Sequence, residues 1–299
     1  MQNFTSLDVT TLAVELLPAL VLGLAGERAA KAAASWPRSL RCVIPVILSG
    51  FYVVVAASHH VFSWAWFALY ASVPSAIAVL LTFAARNDPE QRGRWQDALI
   101  LLALGLAVDL RWLERAWPPG LSGMGKLLLV DAGLYGFVII RQLRGTGFDF
   151  HFHWSDWKSG LRELAFFAPI VISLGIALGF LHPHAVALKF SMIGKWVYIF
   201  VFVAVPEELF FRAWVQNLLE RRLTLRLSPG AARRVALVGA SLLFGLSHFN
   251  KRSIHFNWRY VLLATIAGIF YGRAWRENRR VPASTITHAT VDAIWTFWF

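Results

Sequence analysis

Apolar residues run along this chain in continuous blocks rather than in alternation. Ten blocks are of membrane-crossing length, at about 9–26, 41–57, 62–84, 96–112, 125–141, 163–181, 192–213, 234–249, 259–275 and 283–299. A hydrocarbon core roughly 30 Å thick needs about 17–25 such residues in an α-helix. A spanning strand would instead alternate with a period of two. The pattern therefore predicts an all-α fold, a polytopic transmembrane helical bundle of about 8–10 membrane helices. Segments four, five and eight are the weakest, and eight helices plus re-entrant pieces would satisfy the same pattern.

Composition agrees with this reading. Charged residues make up 15% of the chain, against about 25% in soluble domains, which excludes an ordinary soluble globular protein. The first block begins near Val9 with no basic stretch before it, so it reads as a membrane helix rather than a cleavable leader. Cys42 is the only cysteine, which excludes an intrachain disulfide and a cysteine metal cluster. It lies beside Arg41 at a predicted helix start, with no partner to activate it as a nucleophile.

The charges between the blocks give an orientation. Twenty of the 29 Lys and Arg residues fall in the loops after odd-numbered segments, and seven, Arg252 among them, in the opposite loops and helix ends. Basic loops stay in the cytoplasm. The split predicts an even number of spans with both termini non-cytoplasmic, and a multi-pass protein of the cell inner membrane. It also accounts for the net charge of +12. Nucleic acid is not expected as a partner, because the charges are scattered over loops rather than gathered on one face. The expected partners are the lipid bilayer and a membrane-associated peptide or protein substrate.

The polar, Gly-rich stretch 142–160 reads as a cytoplasmic linker carrying an aromatic segment that lies on the membrane surface, with Trp154 and Trp157 in the headgroup layer. It divides the chain into an N-terminal transmembrane region of unassigned role, 1–155, and a second region, 156–299, that holds the chemistry. No internal repeat is present, which argues against an inverted-repeat transporter.

The seventh block contains Glu207, Glu208 and Arg212. A charge at bilayer depth costs roughly 2.5–3.5 kcal/mol even on the lenient insertion scales, so an adjacent pair of carboxylates calls for compensation or a function. Glu208 and Arg212 are i,i+4 neighbours in the favourable order. Glu207 projects about 100° away and is the freer carboxylate, and Pro206 just before it loosens the backbone ladder. The eighth block ends in Phe244-x-x-x-His248, and the tenth carries His288 and Asp292 on one face. At about 1.5 Å per residue, Glu207 and His248 each lie roughly 21 Å from the nearest cytoplasmic charges, Asp292 roughly 18 Å and His288 roughly 12 Å. Three helices thus offer Glu, His, His and Asp at similar depth. Two chemistries follow. A carboxylate and an imidazole can deprotonate a water while the other pair holds an oxyanion. Alternatively, Glu207, His248, His288 and Asp292 form a plausible zinc shell. The zincin helix, the nucleophile-elbow serine and a paired-aspartate motif are all absent.

Glu-Glu-x-x-x-Arg (Glu207, Glu208, Arg212), Phe-x-x-x-His (Phe244, His248) and His-x-x-x-Asp (His288, Asp292), in this order on successive helices, resemble the CPBP intramembrane proteases. These include the type II CAAX prenyl endopeptidases and bacteriocin-processing or self-immunity (Abi-like) proteins. The resemblance covers about 190–299. It implies a helical bundle with a cavity reached from the membrane, Glu207 and His248 activating the water, Arg212 bracing the glutamates, and His288 with Asp292 stabilising the oxyanion. Prenyl-protease members carry Asn at the last position. An ionised Asp292 cannot donate to an oxyanion, so it must be protonated, orient His288 or ligate a metal.

The function expected is an intramembrane endopeptidase that hydrolyses a peptide bond near the membrane with a Glu/His-activated water, by a glutamic or a metallo mechanism. Its rivals are a non-proteolytic scaffold or immunity protein of the same fold and a proton-coupled transporter with Glu207 and Asp292 as relay groups. Phe244 reads as packing beside His248. Asp109 and Asp131 read as ion-paired or interfacial, with Arg111 or Arg115 as partners. Glu15 has no assignment, and the loop histidines, including His59, read as solvated.

Overall fold

The computed structural model describes residues 4–251 and 255–299; Arg252 lies outside them. Ten helical rods follow the ten apolar blocks, and no strand occurs among the described residues. Among the described residues, five rods are long and apolar enough to cross a membrane: Ser6–Ala34, Arg38–Ser58, Trp64–Asn87, Ser122–Ile140 and Trp154–Ala177. The chain divides into two compact units, Met1–Arg144 and Gly145–Phe299. The sequence reading drew its boundary at 155 instead.

In the first unit the helices are α1 (Ser6–Ala34), α2 (Arg38–Ser58), α3 (Trp64–Asn87), α4 (Trp95–Asp109) and α5 (Ser122–Ile140). The first helix runs past its apolar block because 25–34 is rich in Ala, Glu, Arg and Lys, all good helix formers. It bends at Ala25, where φ is −142°. The core is aromatic: Tyr52 stacks on Tyr70 with centroids 5.1 Å apart, and Trp117 Nε1 donates to the Tyr70 hydroxyl at 2.6 Å.

Three polar assignments change here. Arg141, counted from sequence as a loop charge, is 2% exposed and donates to Asp88 Oδ2 at 2.5 Å and Asp97 Oδ1 at 2.9 Å. Asp131 is buried with no hydrogen-bond partner for Oδ2, and Arg111 pairs with Glu114 instead. His59 is not simply solvated: its Nε2 lies 3.0 Å from the buried Asp8 carboxylate. Glu15 is also buried, with neither carboxylate oxygen partnered among the described residues.

In the second unit the helices are α6 (Trp154–Ala177), α7 (residues 191–223), α8 (Pro229–Leu246), α9 (Trp258–Asn278) and α10 (Val281–Trp298). Their ends follow ordinary capping chemistry. Ser228 Oγ accepts from Ala231 N, with Pro229 in the first turn, and Asn257 Oδ1 accepts from Tyr260 N. Arg279, at φ 53°, turns the chain out of α9.

The last residues of the stretch 142–160 are helix rather than linker. Helix α6 starts at Trp154, nine residues before the apolar block, because Asp156 Oδ2 accepts the backbone N–H of His153 at 2.9 Å and caps it. The preceding loop is tied to α9 and α10. Arg280 donates to Asp156 Oδ1 at 2.7 Å and Asp149 Oδ2 at 2.8 Å, and Trp275 Nε1 donates to Thr146 O at 3.0 Å. Gly147, at φ 66°, accepts from Val281 N at 2.8 Å, and a Cβ there would fall on the Arg279 carbonyl. Burial pushes the Asp149 carboxyl up, but the backbone N–H of His151, the Arg280 guanidinium and the His151 ring outweigh it and hold the group at about 2.

Candidate active site

Helix α7 is not a regular α-helix. Over Phe200–Ala204 and again over Leu209–Gln216 its turns widen to the i→i+5 pattern, with one tighter turn, Val205–Glu208, between them. Pro206 sits in that turn and lacks the N–H that would close it. Widened turns of this kind are frequent at functional sites, and here they bracket Glu207 and Glu208.

Arg212 and Glu208 are fully buried, and Arg212 Nε donates to Glu208 Oε2 at 2.9 Å, the pair that the i,i+4 spacing predicts. Arg212 also lies over the Phe244 ring, 5.5 Å from its centroid. The second oxygen of Glu208, Oε1, accepts from His288 Nδ1 at 2.9 Å. A contact between residues 80 positions apart thus joins α7 to α10 through a buried carboxylate. The other nitrogen of His288, Nε2, faces Asp292 Oδ2 at 3.5 Å and Glu207 Oε2 at 3.9 Å.

Glu207 differs from its neighbour. Its side chain is 27% exposed, Oε1 is 3.9 Å from Lys251 Nζ, and buried Oε2 has no hydrogen-bond partner. No sequence signal pointed to Lys251. His248 ends α8 with Nδ1 2.8 Å from the Phe244 carbonyl oxygen. That oxygen can only accept, so Nδ1 carries the proton and Nε2 the lone pair. Among the described residues Glu207 and His248 make no direct ion pair or hydrogen bond with each other.

Close helix packing holds these groups. Gly245 is where α8 meets α9: a Cβ there would fall on Thr265 Oγ1 and 2.6 Å from the Val261 carbonyl oxygen. Small residues let membrane helices approach in this way. Phe244 does more than pack beside one histidine. Its ring meets His288 edge to face at 5.6 Å and His248 at 4.9 Å, and its carbonyl sets the His248 tautomer. Tyr271, on α9, is 1% exposed and stacks on His288 with centroids 4.6 Å apart and planes 15° apart. The sequence reading missed it, because a tyrosine in an apolar helix belongs to no motif.

A mainly apolar cavity, open to the exterior, reaches His248, His288, Asp292 and Tyr271. Its other walls include Phe167, Val171, Leu263 and Trp295. Glu207 is not among its walls and approaches it through His288.

Among the described residues, no three His, Cys, Asp or Glu side chains are arranged to hold a metal ion. His288 Nδ1 is committed to Glu208 and His248 Nδ1 to a carbonyl. That leaves Nε2 of each histidine open, but Glu207, His248, His288 and Asp292 are not brought together as a set of three or more metal ligands among the described residues.

No curated protein and no solved structure matches the chain significantly. Residues 189–294, which include every residue of this constellation, match the family described as Rce1-like, type II CAAX prenyl endopeptidase, a family of membrane peptidases.

Proposed function

We propose that this integral membrane protein is an intramembrane endopeptidase that hydrolyses a peptide bond near the membrane, with Glu207 and His248 activating the water. The observation that carries the reading is the contrast between the two adjacent glutamates. Glu208 is saturated by Arg212 and His288, while Glu207 has no partner within hydrogen-bond distance and lies within electrostatic reach of His248 in its base tautomer. A water held between Glu207 and His248 loses a proton to this pair as its oxygen attacks the carbonyl carbon, and the proton passes to the departing amine. Such a base need not touch its partner directly when one water bridges them.

The buried Arg212–Glu208–His288 chain fixes the imidazole ring. Protonated on both nitrogens, His288 donates from Nδ1 to Glu208 and presents Nε2–H toward Asp292 and the reacting carbonyl. Asp292 accepts and orients that donor rather than serving as a donor itself. The apolar cavity suits a membrane-associated peptide: a C-terminal tail, a leader peptide, or a lipidated or amphipathic terminus. The loop charges favour both termini on the non-cytoplasmic side of the inner membrane.

The test is cleavage of tail and leader peptides by the full chain in liposomes, beside Glu207→Gln and His248→Ala. Each variant is expected to insert normally and to lose at least 10²-fold in rate, the usual contribution of a positioned general base. Activity retained in either variant would refute the mechanism. Ion flux without a cleaved product would favour a transporter, and neither activity would favour a scaffold.

A further inference from the structure

One group in the cavity is left without a task by the mechanism above. Tyr271 is 1% exposed, yet its hydroxyl makes no hydrogen bond among the described residues. Buried tyrosine hydroxyls usually find a partner. Its ring lies flat on His288 and edge-on to Phe244, 5.8 Å away. Tyr271 lines the same cavity as His248, His288 and Asp292, and its phenol oxygen is within electrostatic reach of Asp292, Glu208 and Glu207. All three of those groups are carboxylates, which accept hydrogen bonds when ionised and cannot donate them. Beside those acceptors, a peptide carbonyl that gains negative charge requires a donor.

We propose that Tyr271 is a catalytic residue, its O–H donating a hydrogen bond to the oxygen of the scissile carbonyl as that oxygen becomes an oxyanion. This rests on the hydrolase reading of the site. The bookkeeping is simple: the water oxygen bonds to the carbonyl carbon, the C=O π pair moves onto oxygen, and Tyr271 keeps its proton throughout. When the C–N bond breaks, the pair returns and the amine leaves with the proton held by His248. Next to Asp292, Tyr271 supplies the second donor beside His288 Nε2–H. A donor aimed at the developing charge acts on the transition state more than on the bound substrate.

The experiment uses the full chain in phosphatidylglycerol-containing liposomes and a fluorescence-quenched peptide with an apolar C-terminal tail. It compares wild type, Glu207→Gln and Tyr271→Phe for kcat, KM and thermal midpoint. Phe keeps the ring that stacks on His288 and removes only the hydroxyl. Tyr271→Phe is expected to lower kcat about 10²–10³-fold, as loss of one oxyanion donor does, with KM and midpoint unchanged. A kcat within a few-fold of wild type, or a fall in kcat that follows a lower midpoint, overturns the assignment while leaving the hydrolase reading intact. A wild type that cleaves no more than Glu207→Gln overturns the hydrolase reading and this one with it.

Discussion

Replacing Arg212 by Met should separate what the buried ion pair does for stability from what it does for the site. Arg212 and Glu208 are both at 0% exposure, 2.9 Å apart, and Arg212 also reaches Gln216 Oε1 at 3.4 Å and the Phe244 ring. Removing Arg212 takes away one of the two cations on Glu208 and leaves His288 alone beside it, and breaking a buried pair costs about 3–5 kcal/mol. Met fills most of the volume, so little of that arises from a cavity. The folded-to-unfolded ratio at a given denaturing stress should fall by roughly two to nearly four powers of ten. In Glu208→Gln/Arg212→Met both charges of the pair go together and His288 keeps Asp292 as its partner, so most of the stability should return. His288 then has only an amide oxygen at Nδ1, so cleavage should stay low even where the fold has recovered. The assay is the denaturation midpoint of purified protein in mild detergent for wild type, both single variants and the double, with cleavage measured on the same samples. A single Arg212→Met variant as stable as wild type, or a double variant no better than the single, would refute the reasoning.

Other predictions follow from individual contacts. Gly245→Ala must push α8 away from α9 and move His248; the expected result is loss of cleavage with a lowered midpoint, and unaltered cleavage would contradict the close packing. Asp292→Asn keeps an oxygen that can accept from His288 Nε2–H, so activity should stay within about tenfold of wild type; complete loss would show that the negative charge is needed. Cleavage should persist in the presence of a strong chelator, since among the described residues no three His, Cys, Asp or Glu side chains are arranged to hold a metal ion, and chelator-sensitive cleavage restored by zinc would overturn that statement. Asp149, held at about 2 in the folded protein against about 3.9 unfolded, contributes stability that is fully present above about pH 4 and is lost as pH falls toward 2. The midpoint difference between wild type and Asp149→Asn should therefore shrink over that window, and parallel curves would refute the role of Arg280 at the loop.

Much of the architecture is written locally. A run of apolar residues the length of a bilayer has one good solution, a helix that satisfies its own backbone, so ten blocks became ten rods at nearly the expected places. The errors lie where polar residues open a helix: Trp154 to Leu161 is too polar for an apolar window, and only Asp156, three positions after His153, signalled the cap. Within the site, two pairs were legible because they are one helical turn apart, Glu208 with Arg212 and His288 with Asp292.

The sequence by itself determined which helices form and which side chains share a face, because each of these depends on residues within a turn or two. Tertiary structure alone decided that Glu208, rather than Glu207, takes His288, that Phe244 sets the tautomer of His248, and that Tyr271 lies flat on the second histidine. It also decided that Arg280 is an internal tie between Asp149 and Asp156 rather than a loop charge facing water. These pairings join residues far apart in the chain. They are set by how closely helices such as α8 and α9 can approach, and a one-dimensional pattern does not carry that distance.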